Sequence, residues 1–148
     1  MTQLVRLTRS EAETEALGAE IARRVRAPLV LLLDGELGAG KTAFVRGFVQ
    51  ALPGGDAVVV QSPTFALARS YRTLPPVHHL DLYRLEGARG LEELGLAELL
   101  DDAAAFSLVE WPGALAPASP FGRVRLRLVD AAPEQRSVEI ELPDATNA

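Results

Sequence analysis

Apolar residues recur along this chain with two periods, and each change of period marks an element. Leu17, Ile21 and Val25 fall at i, i+4 and i+8, the spacing of one helix face. Ser10 precedes that stripe and Glu13 follows it by three, the capping-box spacing that starts a helix. Upstream, Gln3–Leu7 reads as a short strand. Pro28 ends the helical segment. Leu29–Leu33 is a continuous apolar run, as expected of a strand buried on both faces. A glycine-rich stretch follows. A second helix then runs over about 42–52, with Phe44, Val45, Phe48, Val49 and Leu52 facing inward until Pro53-Gly54-Gly55 stops it.

Beyond that point the pattern is mostly strand-like. Ala57–Val60 reads as a short strand, interrupted by Ser62-Pro63-Thr64, and Phe65–Tyr71 alternates as a strand should. Leu74-Pro75-Pro76 is a turn, and Val77–Leu82 is the next strand. Gly90–Leu100 reads as a weaker helix before an acidic turn at Asp101-Asp102. Phe106–Glu110 is another buried strand, and Pro112–Pro120 is loop. Arg123–Val129 and Ser137–Leu142 alternate around Asp130–Glu134, a hairpin pattern, and the tail Pro143–Ala148 is expected to fray. These elements predict an α/β fold. Its sheet is mixed and mostly parallel, flanked by helices, and ends in an antiparallel hairpin. With 148 residues and neither repeat nor internal linker, 1–148 reads as a single domain.

Composition removes several function classes. The net charge is −5 and the pI about 5.1, so broad electrostatic binding to nucleic acid is not the expected mode. A local arginine cluster touching RNA stays open. No cysteine is present, which excludes disulfides, thiolate catalysis and cysteine-held zinc. The longest apolar run, Pro28–Leu33, is far too short to span a bilayer, and the N-terminus lacks a signal-peptide core. A cytoplasmic protein with no membrane association is expected.

Lysine and arginine total 15, yet Lys41 is the one lysine. It lies in Gly35-Glu36-Leu37-Gly38-Ala39-Gly40-Lys41-Thr42, which matches G-x-x-x-x-G-K-[ST]. The glycines let the backbone curl so that N–H groups point at phosphate oxygens. The helix that follows adds its positive end. Lys41 would bridge the terminal phosphates, where arginine is no substitute for a compact ammonium. Thr42 offers its hydroxyl to Mg²⁺. Random sequence of this composition would contain roughly 5 × 10⁻⁴ such matches, so the motif is not accidental. It predicts a P-loop NTPase domain that takes a nucleoside triphosphate with Mg²⁺.

Such a loop needs a carboxylate near the metal and a group to position the attacking water. Asp81 and Glu110 each end an apolar strand, where ligands gather in open α/β sheets, and either can hold the metal. Thr64, in Ser62-Pro63-Thr64, can reach Mg²⁺ or the attacking water, although a plain turn accounts for the same residues. His78 and His79 are adjacent on a strand and so face opposite ways. They cannot form a metal pair, and packing or hydrogen bonding is the expected use. Trp111 can stack on a base, meet a partner protein or cover the sheet edge.

GELGAGKT, SPTFAL, HLDLYRL and VEWP, in this order, resemble the TsaE family, small bacterial ATPases of tRNA threonylcarbamoyladenosine synthesis. The resemblance runs from about Leu17 to Pro112 and weakly through the final hairpin. It implies that ATP is bound and slowly hydrolysed. It further implies a two-protein transferase as partner, which places threonylcarbamoyl on N6 of adenosine 37 in tRNAs reading ANN codons; whether the chain itself touches tRNA, directly or indirectly, stays open. Hydrolysis would drive turnover of that complex. By the same resemblance Thr42 and Glu110 would ligate Mg²⁺, and Asp81 would act near the metal or on the attacking water. Thr64 would belong to a switch-like segment. Trp111 would lie beside the site, and Arg136 and Thr14 would approach the nucleotide. Ala43 and Ala66 stand where the family often has threonine.

Three other readings compete. A GTPase usually carries N-K-x-D, but the only asparagine is Asn147 and no lysine lies outside the loop. A small P-loop kinase would need a lid, for which Arg84 and Arg89 are the candidates. A non-hydrolytic, nucleotide-binding regulatory module would need the same loop as a slow ATPase.

Overall fold

Leu29–Gly35 forms strand β2 at the middle of a seven-stranded sheet in the computed structural model of this chain. The structure describes residues 1–36, 38–63, 68–83, 95–113, 115, 117 and 120–144. The other strands are β1 (Thr2–Thr8), β3 (Ala68–Tyr71), β4 (Val77–Asp81), β5 (Phe106–Glu110), β6 (Phe121–Val129) and β7 (Ala132–Leu142). The helices are α1 (Glu11–Arg24), α2 (Lys41–Ala51) and the single-turn α3 (Ala97–Leu100). Strand order is β1-β7-β6-β2-β5-β4-β3.

The apolar run of β2 is buried because both faces are covered. Leu29, Leu31 and Leu33 pack with Ile21 of α1 and Phe44 and Phe48 of α2. Val30 and Leu32 belong to a second cluster with Leu80, Val109 and Leu100 of α3. Phe48 meets the ring of Phe106 edge-on at 5.1 Å, which locks α2 to the sheet. Ser10 caps α1 as expected, accepting the Glu13 N–H at 3.1 Å. The reciprocal arm shifts by one residue, because Glu13 Oε1 accepts the N–H of Arg9 at 2.9 Å. α1 and α2 cross backbone to backbone. A Cβ built on Gly47 would lie 1.8 Å from the carbonyl oxygen of Glu15, and one on Gly18 would lie 2.2 Å from that of Phe44.

Four expectations change. The sheet is mixed but only its centre is parallel: β6-β2, β2-β5 and β5-β4 are parallel, whereas β1-β7, β7-β6 and β4-β3 are antiparallel. No strand forms over 57–60. Local turn bonds, Gly55 N–H to Leu52 O and Val58 N–H to Gly55 O, take the backbone there, and Val59 is 77% exposed. The final hairpin is tighter than expected, with Val129 opposite Ala132 and an irregularity at Leu128/Val129. Of the weaker helix only Ala97–Leu100 is seen, and 90–94 lie outside the described residues.

Candidate functional site

The parallel centre of the sheet aims three strand ends at one place. β2 runs into the glycine loop, its neighbour β5 ends in Glu110, and β4, next beyond β5, ends in Asp81. Register pairs Leu33 with Glu110 and Glu110 with Asp81, so the two acids stand at one level, next to the loop. Gly38 (φ 79°) and Gly40 (φ 101°) take the left-handed conformation that turns the loop into α2. No side chain caps the start of α2, so its first-turn N–H groups and the positive end of the helix face the cleft. This cleft has a volume of about 500 Å³.

Lys41 is 5% exposed and folds back over the loop. Its Nζ donates to the carbonyls of Gly35 and Glu36 and stands 4.0 Å over the Trp111 ring. Burial holds the ammonium below the ordinary lysine range, and the carboxylates of Glu110, Asp81, Asp34 and Glu36 partly offset that effect. Thr42 Oγ1 donates to Glu110 Oε2 at 3.4 Å. Asp81 accepts from Ser62 Oγ at 3.4 Å and from the Tyr83 N–H at 3.0 Å. Trp111 has φ 56°, the only positive φ among the described non-glycine residues, and its ring packs on Tyr83 at 4.8 Å. A bulky residue held in that conformation marks a constrained position beside the loop.

Most residues singled out in the sequence meet here. Gly38, Ala39, Gly40, Lys41 and Thr42 line the cleft, with Asp81, Glu110 and Trp111 opposite. Thr14 lines it from α1, buried and bonded to Thr8 at 2.8 Å. Arg136 lines it from β7 and braces the loop from outside, donating to the carbonyls of Ala39 at 3.0 Å and Gly38 at 3.1 Å. Gly35 and Glu36 serve through their carbonyls. Leu37 and Thr64 lie outside the described residues, as do Arg84 and Arg89.

Sequence reasoning missed three contributors. Tyr83 packs on Trp111. Arg46, on the cleft wall, is held by Glu15 at 2.8 Å and Glu11 at 3.1 Å. His79 bonds Glu110. Alternation does put His79 on the face that carries Asp81, and that was the available signal. His78 turns away to Ser70 and Asp102, at 2.7 and 2.8 Å, so the adjacent histidines part as expected.

The donor set suits a small hard cation beside phosphates. Such an ion takes one or two carboxylates plus phosphate and water oxygens, not a closed protein cage. Thr42 and Glu110 supply hard oxygens at the loop. Among the described residues no three His, Cys, Asp or Glu side chains form a cage.

The chain resembles known proteins over most of its length. The family profile described as threonylcarbamoyl adenosine biosynthesis protein TsaE matches residues 8–138. The TsaE protein of Bacillus subtilis strain 168 is 34% identical over 139 residues, covering 93% of this chain and 85% of its own. That of Streptomyces coelicolor is 39% identical over 132 residues, covering 84% and 86%. The crystal structure of YdiB from Bacillus subtilis superposes with a TM-score of 0.76 at 26% identity, covering 99% of this chain and 90% of that one. On the profile match, the extent of identity and the shared fold, this chain belongs to the TsaE family.

Proposed function

We propose that this chain binds ATP with Mg²⁺ in the cleft and hydrolyses it slowly. Hydrolysis supports formation of N6-threonylcarbamoyladenosine at position 37 of tRNAs reading ANN codons, by driving turnover of a two-protein threonylcarbamoyl transferase. One observation carries the chemical part: Lys41, Thr42, Glu110 and Asp81 converge at the mouth of the glycine loop. The relatives' names carry the biological part.

The residues divide the work as follows. Loop N–H groups and the open end of α2 hold the phosphates. Lys41 leaves its carbonyl partners for phosphate oxygens, which are stronger acceptors for an ammonium. Thr42 and Glu110 hold the metal, which when bound neutralises charge on the phosphate oxygens. Asp81, fixed by Ser62 and the Tyr83 N–H, is oriented to accept a hydrogen bond from the attacking water. Trp111 covers the loop and Thr14 borders the cleft. Thr64, outside the described residues, is assigned to a switch-like segment by family resemblance. Among the described residues both cleft arginines are engaged, Arg46 by Glu15 and Glu11 and Arg136 by loop carbonyls, so hydrolysis by the chain alone is slow, and a partner raises it.

The test is Mg²⁺-dependent ATP hydrolysis by the purified chain, alone and with the purified transferase pair, with Glu110→Ala as control. Stimulation that the variant lacks supports the reading. Tight ATP binding without stimulation sinks the motor role and leaves a nucleotide-binding regulatory module. A deletion strain that keeps normal threonylcarbamoyladenosine on a Lys41→Ala copy sinks the link to tRNA.

A further inference from the structure

His79 is wholly buried, and its Nε2 lies 2.6 Å from Glu110 Oε2. Thr42 Oγ1 donates to that same oxygen. Oε1 of Glu110 accepts no hydrogen bond from the described residues, and Glu110 lines the cleft. One carboxylate oxygen is thus pinned from two sides while the other stays available. The far side of the imidazole is also held. Tyr71 Oη lies 3.4 Å from His79 Nδ1, and the two rings pack at 6.2 Å. A carboxylate oxygen accepts, so His79 donates from Nε2, and the single hydrogen of the tyrosine hydroxyl is shared between Nδ1 and the Gln61 carbonyl. Tyr71 Oη also lies 3.4 Å from the carbonyl of Gln61, one residue before the Ser62 that holds Asp81.

We propose that His79 is a positioning residue for the metal-binding carboxylate. It holds Oε2 of Glu110 inward so that Oε1 is presented to a divalent cation, and Tyr71 fixes the imidazole that does so. Nothing in this role brings His79 to the nucleotide. Hydrogen-bonding partners behind a ligand fix its orientation, and losing one typically lowers metal affinity or activity about 10- to 100-fold. The inference rests on the cleft being an MgATP site, and it adds a residue whose loss acts on the metal and not on the phosphates.

Two substitutions separate hydrogen-bond reach from folding. His79→Gln keeps an amide donor near the position of Nε2. His79→Asn keeps one only near Nδ1, too short to meet Glu110. Both bury an amide at the same place, so both carry a similar folding burden, and melting curves check that each is folded. ATP binding is titrated calorimetrically at a series of Mg²⁺ concentrations, and hydrolysis with the transferase pair is followed over the same series. His79→Asn is expected to need roughly 10- to 100-fold more Mg²⁺ for half-maximal binding and rate. Its ATP affinity without metal, and its KM for ATP at saturating Mg²⁺, stay within about twofold of wild type. His79→Gln is expected to fall within a few-fold of wild type throughout. A folded His79→Asn with wild-type Mg²⁺ dependence overturns the inference and leaves the ATPase reading intact. Equal losses in both variants, or a loss confined to metal-free ATP affinity, also overturn it. A wild-type chain that binds no MgATP removes the ATPase reading, and this inference with it.

Discussion

Nζ of Lys41 stands 4.0 Å from the centre of the Trp111 ring, while the same ammonium donates to two carbonyls of its own loop. The lysine is therefore parked, and the indole is one of the surfaces that hold it. Engaging phosphate means leaving that ring. ATP added to the chain is expected to change the emission of Trp111, the only tryptophan, saturably, and GTP should do so only at higher concentration. In Lys41→Met the change on adding ATP should fall several-fold. A full-size response in that variant would detach the indole from the lysine.

Burial lowers the pKa of Lys41, which gives stability a pH dependence of known sign. Between its lowered value and the ordinary lysine value, the unfolded chain binds the proton and the folded chain does not. Stability attributable to this group therefore rises with pH across that window, and the burial penalty is fully present below it. Urea unfolding of wild type and Lys41→Met at neutral and at alkaline pH checks this. Wild type should gain on the variant as pH rises, and a difference that stays flat or moves the other way would contradict it.

Arg136 ties the loop to the far end of the chain through the carbonyls of Gly38 and Ala39. Each charge-assisted bond of this kind contributes about 1.5–3 kcal/mol at most, less where exposed. Arg136→Ala is expected to weaken ATP binding about tenfold while moving the melting temperature by only a few degrees. Calorimetry and a thermal melt on one preparation test both halves. Unchanged affinity would reduce Arg136 to a surface group.

Gly47 lets α2 press on the backbone of α1, where a Cβ would overlap the carbonyl of Glu15. Gly47→Ala forces the helices apart and should cost about 3 kcal/mol or more, readable in urea unfolding. Because α1 carries Thr14 and α2 carries Arg46 into the cleft, ATP affinity should fall as well. Gly18→Ala, whose added Cβ would lie 2.2 Å from the carbonyl oxygen of Phe44 across the same contact, is expected to show the same pair of losses.

The phosphate loop was legible because its chemistry is consecutive. Eight neighbouring residues hold the turn, the ammonium and the hydroxyl, and the flanking apolar runs show where strand and helix lie. Asp81 and Glu110 were legible singly, as acids that end apolar strands. Their meeting at one level was not, because it depends on strand order and register across β2, β5 and β4, which alternation within one strand does not encode. His79 escaped for the same reason, since its partner is 31 residues away. The bond from Arg136 to Ala39 spans 97 residues and was not foreseen; family resemblance pointed to Arg136 only as a residue near the nucleotide. Ala57–Val60 misled because four small or apolar residues satisfy a strand pattern, while local turn bonds, invisible to that pattern, claim their backbone.

Among the described residues β1 pairs only with β7, Thr2 with Leu142 through Thr8 with Arg136, and β7 is the last strand in chain order. A ribosome releasing this protein therefore delivers the first strand long before the only strand that can receive it. At about 5–20 residues per second the wait is on the order of ten seconds. Over that interval Val5 and Leu7 have no sheet to join, and the loop lacks the arginine that braces it. The nascent chain gains its outer edge and the brace on its nucleotide site nearly together, once β7 has emerged, so a copy cut short before β7 would lack the brace across its phosphate loop.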